Sequence, residues 1–217
     1  MKITESYVEF ITDLSKLDTS VIVDAGRTCY KSNKSSYTPK EVDTFIRKLI
    51  KHGHESVLEH LSFTVKFITD RAIANELVRH RIASFSQEST RYCNYSKDKF
   101  DNGLTCLYPI DFENYAYDDI ADIAHEAYVS AENAYLKLLE LGVTPENARC
   151  VLPLGLKTEL VVTANIREWR HILKLRTNPA AHPDVRYLCN QILDELDYYH
   201  PYFVFDIIEE EESDVTV

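Results

Sequence analysis

The chain has 217 residues, 45% of them hydrophobic and 27% charged, ordinary values for a globular protein and enough length to bury a real core in one domain. Its formal net charge is −11, and Asp206, Glu209, Glu210, Glu211, Glu212 and Asp214 supply six of the negatives, leaving −5 on the body. That balance argues against duplex nucleic acid or an anionic membrane as the main partner, while leaving room for a local basic pocket.

Five cysteines, Cys29, Cys93, Cys106, Cys150 and Cys189, are scattered without a Cys-x-x-Cys pair. They read as reduced thiols in a cytoplasmic protein, with neither a disulfide framework nor a zinc ribbon. No stretch approaches the roughly 18 to 20 apolar residues of a membrane span, and Met-Lys-Ile-Thr-Glu-Ser lacks the apolar run of a signal peptide. The five glycines, Gly26, Gly53, Gly103, Gly142 and Gly155, never form Gly-x-Gly, so the Rossmann fingerprint and the phosphate loop are both excluded. A nucleotide would have to be held by side chains and ordinary loops.

In chain order, partial alternation up to Leu14 predicts a strand, and residues 18–30 a helix. A polar loop over 31–37 leads to Thr38-Pro39-Lys40-Glu41, a capping box with Pro at the first helical position. Val42, Phe45, Ile46, Leu49 and Ile50 then recur at helical spacing, and Gly53 closes the helix. The stretch from His52 to His60 holds three His and two Glu, but His54 and His60 are six apart and share no helix face, so it is not the His-Glu-x-x-His arrangement of zinc enzymes. It reads as a loop of polar anchors. Residues 61–69 alternate cleanly and predict a half-buried strand.

Residues 71–81 read as a short helix with Ile73, Ala74, Leu77 and Val78 along one apolar stripe. Extended at about 100° per residue, the pattern puts Arg81 in the middle of that stripe, His80 at its edge and Arg79 on nearly the opposite side. A guanidinium keeps its proton, so one aimed along a buried face needs a carboxylate, a phosphate or several carbonyls. Basic residues in a last helical turn can also simply offset the helix dipole. The run that follows, Ser84-Phe85-Ser86-Gln87-Glu88-Ser89-Thr90-Arg91-Tyr92, is too polar for a core strand. Its hydroxyls and backbone amides suit a phosphate, with Arg91 available for a bidentate contact.

Further on, residues 104–110 predict a short strand and residues 117–141 the longest helix, with a stripe running from Ile120 and Ile123 to Tyr135 and Leu138 and Gly142 as its end. Thr144-Pro145-Glu146-Asn147 caps a short helix over 145–151 that carries Arg149, by itself readable as a surface arginine. Residues 156–165 predict a strand, and residues 167–176 a second basic helix. There Arg176 lands on the Trp169, Ile172 and Leu173 face where an apolar residue belongs, while Arg167, Arg170 and Lys174 lie on the other side, where they can be solvated. A last helix runs from Val185 to Tyr199. No repeat or linker divides the chain. The expectation is one α+β domain over residues 1–205, followed by an acidic, disordered tail over 206–217.

Taken alone, these residues describe a pocket for an anionic, partly aromatic small molecule such as a nucleotide: two helix ends bring arginines into apolar seams, with a hydroxyl-rich loop between. A nucleic-acid-binding module using Arg79-His80-Arg81 as a phosphate clamp is the competing reading, and a metal-dependent hydrolase on the His52 to His60 cluster a third.

Arg79-His80-Arg81, seven residues and then Ser89 is a long pattern that resembles the signature of the flavin-dependent thymidylate synthases. Their His-Glu-[Ser/Thr] stretch resembles His54-Glu55-Ser56, and their later motifs resemble Ala148-Arg149-Cys150-Val151-Leu152-Pro153 and Asn165-Ile166-Arg167, with Arg176 closing the helix. The resemblance implies a mostly antiparallel sheet packed with helices, in a homotetramer with shared active sites. It also implies methylation of dUMP to dTMP, with 5,10-methylenetetrahydrofolate as one-carbon donor and FAD, reduced by NADPH, as hydride source. Carried over by residue, Arg79, His80, Arg81, Gln87, Ser56, Asn165, Arg167 and His171 would meet FAD. Glu76, Arg79, Gln87, Glu88, Ser89, Thr90, Arg91, Arg149 and Arg176 would hold dUMP, and His54 would lie near the folate or flavin. The fixed charge of Arg176 at the uracil edge would favour the N3-deprotonated, more reactive ring. Ser89 has no obvious general base near it in sequence, so it is read as a ligand-holding residue and not as a nucleophile.

Overall fold

The structure, a computed structural model, describes residues 1–115 and 119–214. It is α+β. Strands β1 (Lys2–Ile3) and β5 (Thr105–Cys106) pair in parallel, and β2 (Tyr7–Phe10), β3 (Ser62–Asp70), β6 (Lys157–Asn165) and β4 (Ser84–Gln87) form a four-stranded sheet in the order β2-β3-β6-β4. Ile166 N–H donates to the Leu61 carbonyl and Arg71 N–H to that of Leu156, so β3 and β6 run antiparallel. In β6 every second residue is buried, Thr158, Leu160, Val162 and Ala164, as the period of a half-covered strand requires.

The chain forms two compact units whose segments interleave, residues 1–7, 66–79 and 85–161 in the first and residues 8–65, 80–84 and 162–217 in the second. The first unit packs Tyr95, Leu104, Cys106, Tyr135, Ala148 and Leu156 into a core beside α4 (Ile120–Glu140) and α5 (Pro145–Ala148). The second holds α1 (Ser20–Thr28), α2 (Pro39–Lys51), α6 (Ile166–Arg176), α7 (Pro183–Tyr199) and α8 (Phe205–Asp214). Thr38 and Glu41 complete the capping box of α2, and Gly53 takes the positive φ of 70° that lets the chain turn out of that helix. Trp169 of α6 stacks on Phe63 at 4.7 Å and donates its indole N–H to the Phe63 carbonyl, a ring pair worth about 0.5–1.5 kcal/mol beyond its burial.

Four expectations change. The helix after β3 is shorter: α3 spans Arg71–Leu77, and the chain leaves it so that Ser84–Gln87 can pair at the edge of the sheet. Helical extrapolation therefore fails beyond Leu77; Arg81 is exposed, and His80 is the buried member of the triplet. The polar run expected as a loop begins as that edge strand. Along α4 only Glu132 and Tyr135 are buried, and Ile123 is 63% exposed, while residue 117 lies outside the described residues. Finally, the tail expected to be disordered starts as helix α8, with Ile207 buried and Asp206 ion-paired to Arg170.

Candidate functional site

In the first unit the signature loop is held from both sides. Glu88 N–H donates to the Glu159 carbonyl of β6 at 2.9 Å, continuing the strand pairing past Gln87. Arg71 Nη1 reaches the Glu88 carbonyl (3.4 Å) and Thr158 Oγ1 (3.2 Å), and Gln87 Nε2 donates to the same hydroxyl at 3.3 Å. The Glu88 carboxylate accepts from the Tyr95 hydroxyl at 2.8 Å. Burial, with Glu88 alongside, pushes that hydroxyl far up, so Tyr95 stays a donor.

Past Glu88 the chain turns. Tyr92 and Cys93 N–H both donate to the Ser89 carbonyl, and Ser89 Oγ accepts from Arg91 N–H at 3.3 Å. That contact holds the hydroxyl in the turn without offering it a base. Thr90 is buried and accepts from Arg149 Nη1 at 3.4 Å, while Arg91 pairs with Glu146 of α5 at 3.2 Å. Gln87, Glu88, Ser89, Thr90, Arg91 and Arg149 are thus gathered within one unit. Glu76 accepts from Arg79 N–H through its carbonyl at 3.2 Å. Tyr95, Arg71 and Glu146 were not legible as partners, since no spacing rule links residues 7 to 87 positions apart outside a regular element.

In the second unit α6 carries the other set. Asn165 caps it, its side chain accepting from Glu168 N–H at 2.9 Å. Arg167 is exposed and reaches Glu59 at 2.6 Å, and Ser56 and His54 are exposed on the turn that leads to Glu59. Arg176, half-buried at the end of the helix, donates its Nε–H to His80 Nε2 at 3.0 Å. The ring proton of His80 must then sit on Nδ1, toward Glu168. His171 meets His80 edge-on at 5.9 Å.

Burial, with the Arg176 and His171 charges beside it, brings His80 down to about 4. Burial likewise pushes the Glu168 carboxyl up. The 3.9 Å approach of His80 to Glu168 is therefore a contact of a neutral imidazole, not an ion pair. His80, Glu168 and His171 bring ligand-type atoms within 4.8 Å of one another. Of these three, His80 already accepts the Arg176 Nε–H on its Nε2.

This geometry predicts a pH dependence. Unfolded His80 takes a proton near 6.5, folded His80 only near 4, so between those values the unfolded chain binds more protons and stability falls as pH falls. The loss from this group is about 2–3 kcal/mol across the window, partly offset by Glu168, whose raised pKa favours the folded state on acidification. Urea unfolding at pH 7 and pH 4.5 checks it: wild type should lose more stability than His80→Asn, and equal losses would contradict the assignment.

Arg79 and Arg81 are exposed, and among the described residues neither guanidinium has a hydrogen-bond or ion-pair partner. Arg79 and Arg81 flank the buried His80 along the chain.

The fold is shared with the crystal structure of a UMP/dUMP methylase, PolB, from Streptomyces cacaoi bound with 5-Br dUMP, at a TM-score of 0.78 and 24% identity over 94% of this chain and 95% of that one. The family model of the thymidylate synthase complementing proteins, Thy1, matches residues 11–202. The flavin-dependent thymidylate synthase of Sulfolobus acidocaldarius is 37% identical over 78% of this chain and 62% of its own length, and that of Geobacter sulfurreducens 35% identical over 78% and 73%. The chain belongs to the flavin-dependent thymidylate synthase family. It spans 62% and 63% of the lengths of two archaeal relatives.

Proposed function

We propose that this chain methylates dUMP to dTMP, with methylenetetrahydrofolate as one-carbon donor and FAD, reduced by NADPH, as hydride source, in a homotetramer with shared active sites. The observation that carries the reading is the unpartnered Arg79 and Arg81 pair flanking His80 in a chain of this family. Exposed guanidinium groups without acidic partners fit a group that bears a pyrophosphate, and the capped helix start at Asn165 and Arg167 adds polar contacts for it. When bound, the flavin supplies hydride.

The chain's own residues bind and orient. Arg91 and Arg149 suit the nucleotide phosphate, to which Arg91 would turn from its exposed pairing with Glu146, a bond worth little in water. Glu88, fixed by Tyr95, and Gln87, Ser89, Thr90, Glu76 and Arg79 surround the sugar and base on this reading. Arg176, aimed by His80, holds a fixed positive charge toward the pyrimidine edge and favours its N3-deprotonated form. Ser56, Arg79, His80, Arg81, Gln87, Asn165, Arg167 and His171 would line the flavin, with His54 near the folate or the flavin. On this reading no side chain attacks the ring: Ser89 Oγ accepts from Arg91 N–H, and among the described residues no base is bonded to it.

The test is oxidation of the reduced, flavin-loaded protein by methylenetetrahydrofolate with and without dUMP, assayed for dTMP. Product should appear only when flavin, folate and dUMP are all present. Turnover by flavin-free protein, or no dTMP from the loaded protein, would overturn the assignment.

A further inference from the structure

Arg170 lies outside the set that the family resemblance implies, and it is the most deeply buried cation of the second unit. Its side chain is 3% exposed. Nη1 donates to Asp206 Oδ1 at 2.8 Å and to the Phe203 carbonyl, and Nη2 donates to Asp206 Oδ2 at 2.9 Å and to Glu55 Oε1 at 3.2 Å. Asp206 also pairs with Lys174 at 3.0 Å, one turn further along α6. The planar fork thus joins three elements: α6, helix α8 through Asp206, and the Glu55–His60 turn through Glu55.

Two of these elements carry residues assigned to the flavin. Helix α6 bears Arg167 and His171, and the turn bears Ser56 directly after Glu55. Arg167 approaches Glu55 as well, at 3.9 Å, and closes on Glu59. Glu55 is therefore one of two links between the turn and the helix, beside the Arg167–Glu59 pair, and the one that reaches the buried fork. Asp206 occupies both inner donors of the fork and fixes its plane, which leaves only Nη2 turned to Glu55.

We propose that Asp206, acting through Arg170 and Glu55, is a positioning residue for the flavin-binding part of the site, so that helix α8 sets flavin affinity without touching the flavin. This rests on the flavin reading given above. Burial acts to raise the Asp206 carboxyl, but Arg170 and Lys174 outweigh it and bring it down to about 2, so the clamp stays charged throughout neutral and mildly acidic solution.

The experiment compares full-length wild type, Asp206→Asn and Asp206→Glu for FAD dissociation constant, the absorbance bands of the bound flavin, dUMP KM and thermal midpoint. Asp206→Asn should weaken FAD binding about tenfold and alter the bound-flavin bands, with dUMP KM within about twofold of wild type and Asp206→Glu restoring part of the affinity. A lowered thermal midpoint with wild-type FAD affinity and spectrum would overturn the proposal, leaving a structural clamp only. Should Asp206→Asn fail to fold, Glu55→Gln probes the other end of the fork, with the same expected loss and the same overturning result. Wild-type protein that takes up no flavin would sink this inference together with the proposed function, whereas active wild type with unaffected variants would sink this inference alone.

Discussion

Arg176→Gln is expected to lower dTMP formation by about 10²- to 10³-fold, the usual cost of removing one preorganised charged donor at a reacting centre. Arg176 Nε is committed to the neutral His80 imidazole at 3.0 Å, so the direction of the guanidinium is set by the fold and costs no reorganisation when substrate arrives. On the proposed reading, a glutamine cannot supply the positive charge that would favour the deprotonated pyrimidine. Arg176→Lys should retain part of the rate, because it keeps the charge while losing the planar fork. Single-turnover oxidation of the reduced, dUMP-loaded protein by methylenetetrahydrofolate measures the effect. Activity of Arg176→Gln within tenfold of wild type would remove Arg176 from its assigned role.

Arg170→Met should destabilise the folded chain by about 3–5 kcal/mol, the range for breaking a buried ion pair from one side. The substitution takes the shared cation from Glu55 and Asp206, leaving Asp206 with Lys174 alone, and it strands the Phe203 carbonyl. Arg170 already carries one cost, since its buried Nε–H has no hydrogen-bond partner among the described residues. Replacing both sides, as in Arg170→Met with Asp206→Leu, should cost less than the single change, because no half-buried carboxylate held by Lys174 alone remains at the α8 end. Urea unfolding curves at neutral pH decide it. A single-variant loss below about 1 kcal/mol would mean that water reaches the fork and screens it.

Much of this protein could be read along the chain. The Thr38 capping box, the strand-like composition of residues 156–165, the Pro145 helix start and the Trp169, Ile172 and Leu173 stripe are short-range signals, and the structure keeps them. The Arg79-His80-Arg81 to Ser89 spacing is likewise a property of the chain itself. It pointed to the family that residues 11–202 match.

What failed were inferences that carried a local period past the place where a remote partner takes over. Residues 78–81 continue a helical pattern, yet pairing of the next segment with β6 ends the helix at Leu77 and buries His80 in place of Arg81. Arg170 reads as a solvated charge, and Asp206 as part of a solvated acidic end. Each is what makes the other's burial affordable, and they lie 36 positions apart.

Capping and amphipathic periodicity act over a single turn or pleat, so most helices, their caps and the residue types of the site are written along the chain, while the edge strand Ser84–Gln87 and helix α8 are not. Which imidazole is neutral, which arginine is buried and which carboxylate faces it were decided only by the tertiary structure. Charge burial depends on partners that the chain brings together from afar, and no local pattern records them.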